Sequence, residues 1–183
     1  GGNFELGFYG FGAFIPGKGY QYLGSHIRPR ITVPEKWKWP FGASLSVEFG
    51  FERPIADSDY VWDGEIRPII DKNFGPWYFS FNPNMDFVLN GNDKHLGITP
   101  QFKAVYTIQQ KVGVGFEYYG TLGTFKEILP GNFQEHLLGP MVDLYCIKNW
   151  EFNSGFLFGL TPNSNHYIFK LILGRRFSKS QSK

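Results

Sequence analysis

The feature that most constrains this chain is a side-chain alternation of period two, sustained over long segments and repeated along nearly all of it. In "WYFSFNPNMDFVLNG", residues 77–91, Trp77, Phe79, Phe81, Pro83, Met85, Phe87 and Leu89 form one row. Ser80, Asn82, Asn84, Asp86 and Asn90 form the other. In "SLSVEFGFE", Leu45, Val47, Phe49 and Phe51 oppose Ser46, Glu48, Gly50 and Glu52. In "YIFKLILGRRF", Tyr167, Phe169, Leu171, Leu173 and Phe177 oppose Lys170 and Arg176. Successive residues of a strand point to opposite faces, so each segment reads as a strand with one apolar and one polar face. No stretch carries apolar residues at i, i+3, i+4 and i+7 over several turns, so helices are not expected.

Ten strands are predicted, at 3–14, 25–33, 42–53, 60–72, 76–90, 97–108, 111–123, 134–147, 149–161 and 165–177. Aromatics at 19% and 23 glycines among 183 residues suit strands and tight turns. After strands four, six and eight come short links, "KNFG", "QQ" and "KN"; "PEKWKWPF" follows the second. Odd-numbered strands end in polar, mostly longer loops: "IPGKGYQYLG", "RPIADSD", "GNDKHL", "TFKEILPGNFQ" and "PNSNH". Short turns at one end and long loops at the other describe an antiparallel up-and-down meander closed into a barrel. One domain is expected over 1–177, with "SKSQSK" at 178–183 as a polar tail.

Alternation alone does not say which face meets which solvent. Three features favour lipid outside and a polar lumen inside. Segments of this length match the roughly 9–11 residues that a tilted strand needs to cross hydrocarbon. Aromatic residues form two belts. Trp37, Trp39, Trp77 and Trp150, with Tyr106, Tyr145 and Phe177, lie near the short turns. Tyr20, Tyr22, Tyr60, Trp62, Tyr118 and Tyr167 lie toward the other end, as at two membrane interfaces. The polar row carries charges of both signs in mid-strand: Arg28, Arg30, Glu48, Glu65, Arg67, Asp86, Lys103, Glu117, Asp143, Glu151 and Lys170. Inside a narrow lumen such charges satisfy one another; on a half-buried soluble sheet the same row is simply solvated. Arg28 and Arg30 are expected to pair with Glu48 and Glu65 on neighbouring strands. An anion such as a lipopolysaccharide phosphate is the competing partner.

Other classes find little purchase. A net charge of +2 leaves no nucleic-acid footprint, and a single Cys146 rules out an internal disulfide framework and a cysteine-based zinc site. No apolar run is long enough for a transmembrane helix, and no signal peptide is visible ahead of "GGNFELGF". "GFYGFG" and "VGVGF" lack the strand-to-helix context of a phosphate cradle. Pro29, Pro68, Pro83, Pro100 and Pro140 all fall on apolar faces inside strands; they are expected to mark bulges or ladder gaps.

"HIRPRITVPEKWKWPFGASLSVEFGFER", "EIRPIIDKNFGPWYFSFNPNMD", "GVGFEYYGTLG" and "WEFNSGFLFGLT…YIFKLILGRRF" resemble a family of bacterial outer-membrane β-barrel proteins of unassigned role, loosely grouped with transporter-like barrels. The resemblance covers nearly the whole chain. It implies a Gram-negative outer-membrane location and twelve strands where an upstream hairpin precedes "FELGFYGF", against ten here. Phe177 resembles the terminal aromatic read by the outer-membrane assembly machinery, although six residues follow it here.

Candidates for chemistry are sparse. His26, His95, His136 and His166 fall toward the long-loop end, with Asp57, Asp59, Asp63, Asp93 and Glu135. "DKH" at 93–95 and "EH" at 135–136 are the only local acid–base pairs. A loop metal site from His95, His136 and His166 lacks tight ligand spacing. The expected protein is therefore a non-enzymatic, porin-like barrel without cofactor or metal: a structural or accessory subunit, or a narrow channel with a charge-lined lumen. Its partners would be outer-membrane lipids, lipopolysaccharide and other outer-membrane subunits. The alternatives are an outer-membrane hydrolase acting at the extracellular rim and a soluble secreted barrel holding an apolar ligand.

Overall fold

A computed structural model describes residues 3–15, 17–53, 59–90, 95–147 and 149–175. Ten strands account for most of them: β1 (Phe4–Ile15), β2 (Gly19–Thr32), β3 (Gly42–Glu52), β4 (Val61–Phe74), β5 (Trp77–Val88), β6 (Leu96–Ile108), β7 (Val112–Thr121), β8 (Glu135–Leu144), β9 (Trp150–Gly159) and β10 (Tyr167–Arg175). A single-turn 3-10 helix, Glu35–Trp37, lies between β2 and β3. The hydrogen-bonded order runs from β1 to β10 in chain order, so the fold is an all-β, antiparallel up-and-down sheet. Among the described residues no helix is long and apolar enough to cross a membrane. The tail at 178–183, Phe177, and the loop residues Asp57 and Asp93 lie outside the described residues.

The short turns are built by left-handed backbone. Between β6 and β7, Gln109 and Gln110 take φ of 48° and 57°, and the Lys111 amide closes on the Ile108 carbonyl at 3.0 Å. Positive φ at both central positions gives the turn a twist that matches the flanking strands. The first hairpin corrects one expectation. "IPGKGYQYLG" is not a long loop, because β2 begins at Gly19 rather than at 25. Gly17 and Gly19 adopt φ of 79° and 72°, which turns the chain at once, and Tyr20–Gln21–Tyr22 continue the pairing against β1. A register shift at Phe11/Gly12 absorbs the odd residue.

Two prolines lie at ladder gaps. The β2–β3 register runs from Ile27↔Phe49 straight to Arg30↔Ser46, skipping Pro29. The β8–β9 register skips Pro140 between Leu138↔Phe158 and Met141↔Gly155. Pro68 differs: its pairing with Leu45 lies within an unbroken β3–β4 register. Proline lacks only the amide donor, so one side of a strand can stay regular.

Contacts divide the chain into two compact units. One comprises Gly1–Asp71, Phe81–Pro100 and Thr121–Leu129; the other comprises Lys72–Ser80, Gln101–Gly120 and Pro130–Lys183. β4, β5 and β6 contribute to both, as does β7 through its last residue, Thr121.

Burial is the reverse of a water-soluble domain's. Among the described residues the buried apolar side chains are Val105, Met141 and Leu157, whereas His26, Ser44, Ser46, Ser80, Asn84, Glu117, Asp143, Asn153 and Ser164 are buried polar ones. Soluble interiors select the opposite set. Within β5, Asn84 is 0% exposed and Phe81 44%. Even Val105, Met141 and Leu157 belong to the polar row by strand parity, in register with Lys103, Asp143 and Asn153.

Candidate functional site

Among the described residues the polar row is where charged and hydrogen-bonding side chains gather most densely. In the second unit it forms a closed ionic cluster. Lys103 on β6 faces Glu117 on β7, directly opposite in register, with Nζ 3.3 Å from Oε1. The same Nζ lies 2.8 Å from Asp143 Oδ2 on β8. Asn153 on β9 donates from Nδ2 to Asp143 Oδ1 at 2.8 Å and to Glu117 Oε1 at 3.2 Å. Lys170 on β10 donates to Glu117 Oε2 and, at 2.7 Å, to the Tyr119 hydroxyl, which itself donates to Oε2 at 3.0 Å.

β7 and β10 are three strands apart, roughly 14 Å along a flat sheet at about 4.8 Å per strand. Lys170 and Glu117 meet only because this part of the sheet curls with its polar row on the concave side. Tyr145, just past β8, donates to Asp143 Oδ2 at 2.9 Å; burial and that carboxylate push its hydroxyl pKa up. Glu151 is exposed near the start of β9, opposite Gly174.

The first unit carries the remaining charges. Glu65 accepts from Arg67 Nε at 2.6 Å and from Asn84 Nδ2 at 2.9 Å. Asp86 accepts from the Thr99 hydroxyl at 2.9 Å. The expected pairing of Arg28 and Arg30 with Glu48 and Glu65 is not what forms. Arg28 lies over the Tyr9 ring at 4.6 Å, and Arg30 donates to Ser44 Oγ at 2.9 Å with Glu5 4.0 Å away. Glu48 is taken by His26 and Glu65 by Arg67. Sequence adjacency on the polar row was a poor guide because the ladder gap at Pro29 and the stacking on β1 turn both guanidiniums elsewhere.

His26 is the centre of a cluster that sequence reasoning missed. Its Nδ1 lies 3.0 Å from Glu48 Oε1 and its Nε2 3.2 Å from Asp63 Oδ1. A Glu52 carboxylate oxygen joins them, with ligand-type atoms of His26, Glu52 and Asp63 all within 4.8 Å of one another. Beside the cluster lies a cavity of about 310 Å³ whose walls include Glu48, Glu65, Arg67, Asp86 and His95. The overlooked signal was Gly50. His26 pairs with Gly50 and Gly50 with Asp63, so only a residue without a side chain lets the imidazole cross β3.

The other histidines are placed differently. His136 accepts or donates at both ring nitrogens, to the Tyr118 hydroxyl at 2.7 Å and to Gln134 Oε1 at 3.0 Å. Its amide donates to Ser164 Oγ at 2.8 Å. His95 is exposed beside the first unit's cavity and His166 is exposed before β10. Among the described residues the His95–His136–His166 set forms no metal-ligand group.

The aromatic residues near the short turns are exposed. Trp37 and Trp39 sit 6.3 Å apart in the first unit. In the second, Trp77 packs edge-on to Tyr106 at 5.2 Å, and Trp150 and Tyr145 are also exposed. At the other ends of the strands Tyr20, Tyr22, Tyr60, Trp62 and Tyr167 are exposed as well. No protein-family model matches the sequence, and no curated protein matches it.

Proposed function

We propose that the chain is an integral β-barrel protein of the bacterial outer membrane, acting without catalysis as a structural or accessory subunit or as a narrow, charge-lined channel. The observation that carries this reading is the inverted burial: Phe8, Phe116, Phe156 and Phe169 exposed, Glu117 and Asp143 buried. In water that arrangement wastes the hydrophobic effect and desolvates charges; in a bilayer each row meets the medium that suits it. Closure of the sheet belongs to the same reading. β1 and β10 terminate the strand order, and strand edges left open in hydrocarbon would expose unsatisfied amides and carbonyls. The ion pairs across the second unit's concave face argue for a constricted lumen rather than a wide pore.

For the rim-hydrolase alternative, the His136 ring engages the Tyr118 hydroxyl and Gln134 Oε1 rather than the Glu135 carboxylate beside it in sequence. The decisive experiment reconstitutes the purified chain in planar bilayers and compares boiled and unboiled electrophoretic mobility. Heat-modifiable migration with small or no conductance is expected. A chain that stays soluble and monomeric without detergent would overturn the reading.

A further inference from the structure

We propose that His26, Asp63 and Glu52 form a binding site for a divalent transition-metal cation of the zinc class, with Glu48 as the residue that positions His26. The case begins with backbone. His26, Gly50 and Asp63 lie in one row across β2, β3 and β4. A Cβ at position 50 would lie 2.3 Å from His26 Cδ2, so glycine there is what keeps the crossing open. Phe11 meets the imidazole edge-on, with centroids 4.9 Å apart and planes at 81°, and helps fix its orientation. The result is a histidine only 7% exposed, held by neighbours on three other strands.

Both ring nitrogens face carboxylates: Glu48 Oε1 lies 3.0 Å from Nδ1 and Asp63 Oδ1 3.2 Å from Nε2. Nε2 and Asp63 Oδ1 are buried atoms that lack a well-aligned hydrogen bond. Three carboxylates gathered around one imidazole favour positive charge among them, and buried polar atoms without a good partner are costly.

A cation answers that need with the right chemistry. A carboxylate on one ring nitrogen and a metal on the other is the usual arrangement of a ligating histidine. Ligands about 2.1 Å from a tetrahedral ion stand roughly 3.4 Å apart, close to the Nε2–Oδ1 separation here. Glu52, near the end of β3, is the longer and more adaptable third ligand. One imidazole and two carboxylates suit Zn²⁺ or Mn²⁺ better than Mg²⁺ or Ca²⁺, which favour all-oxygen shells. Three protein ligands leave a coordination position for water or a small anion from the adjoining cavity. The site stands on unit-one geometry alone and does not depend on which solvent surrounds the strands.

The test titrates ZnCl₂ into chelator-treated, detergent-purified full chain by calorimetry, with X-ray absorption at the zinc edge. One equivalent should bind, with one nitrogen and carboxylate oxygens at about 2.0–2.2 Å. Asp63→Asn and His26→Gln should each weaken binding by at least roughly 100-fold, and Glu48→Gln by about 10–100-fold. Glu5→Gln, outside the cluster, should bind as the parent does. Should the His26 variant fail to fold, Glu52→Gln, on the part-exposed ligand, supplies the same comparison. No saturable binding in the parent chain overturns the proposal. So does parental affinity in the Asp63 and Glu52 variants, or an imidazole of His26 found doubly protonated by ¹⁵N shifts in the presence of zinc.

Discussion

Glu117 offers the sharpest test of the buried polar row. Its two carboxylate oxygens meet only donors: Asn153 Nδ2 and Lys103 Nζ at Oε1, Lys170 Nζ and the Tyr119 hydroxyl at Oε2. Glu117→Gln keeps the shape but removes the charge, and either orientation of the amide turns an NH₂ toward donors. Lys103 keeps Asp143 at 2.8 Å, while Lys170 retains only the Tyr119 hydroxyl among the contacts described. Breaking a buried pair costs about 3–5 kcal/mol. Lys170 is 18% exposed against 6% for Glu117, so water softens the loss toward the lower end, about 3 kcal/mol. That is roughly 150-fold in the folding constant. Urea unfolding from lipid vesicles, followed by tryptophan fluorescence, should lose about 1–3 M in midpoint for m near 1–3 kcal/mol/M. Glu117→Gln with Lys170→Met should recover about 1–3 kcal/mol relative to the summed single losses, because no cation is then stranded. A single variant within about 0.5 kcal/mol of the parent, as for ordinary surface changes, would refute the reasoning; strict additivity of the pair would do the same.

Two further perturbations probe the outer face and the orientation. Phe81→Arg and Phe156→Arg replace exposed side chains. Against lipid each should cost about 2–4 kcal/mol near the bilayer midplane, read as lost folding in vesicles, whereas near-neutral variants would mean those faces meet water. Cys146 is exposed between β8 and β9, at a short-turn end. Outer-membrane barrels keep their short turns on the periplasmic side, so on the proposed reading a bulky maleimide should label it only after the outer membrane is permeabilised; labelling of intact cells would put the short turns outside.

Much of the fold was legible because the alternation is local. Each strand announces itself through its own neighbours, and the β5 rows could be read before any pairing was known. The start of β2 was misread because Gly17 and Gly19 look like a loop, while their left-handed backbone in fact makes a tight hairpin. Pairing partners were harder, since register depends on residues far apart in sequence. Arg30 was expected on Glu48 or Glu65 and instead reached Ser44. The His26 cluster was invisible for the same reason: its three strands bring together residues whose spacing carries no motif, and the one clue is a glycine whose meaning needs the register.

The two rows place opposite demands on the surroundings, and that bears on when this chain can fold. Its buried side contributes little net stability, because desolvating Lys170, Glu117 and Asp143 offsets most of what their pairing returns. Val105, Met141 and Leu157 are too few to compensate. On the membrane reading proposed above, stability comes from covering the exposed Phe, Leu and Ile side chains, at about 1.5–3 kcal/mol for each one fully buried. In water those residues stay exposed and long strand edges invite pairing with other chains. On that reading the folded state depends on an apolar medium, while the ionic row fixes which register that medium stabilises. A one-residue slip would push Glu117 and Lys170 outward and Phe116 and Phe169 inward, a state that an apolar medium disfavours.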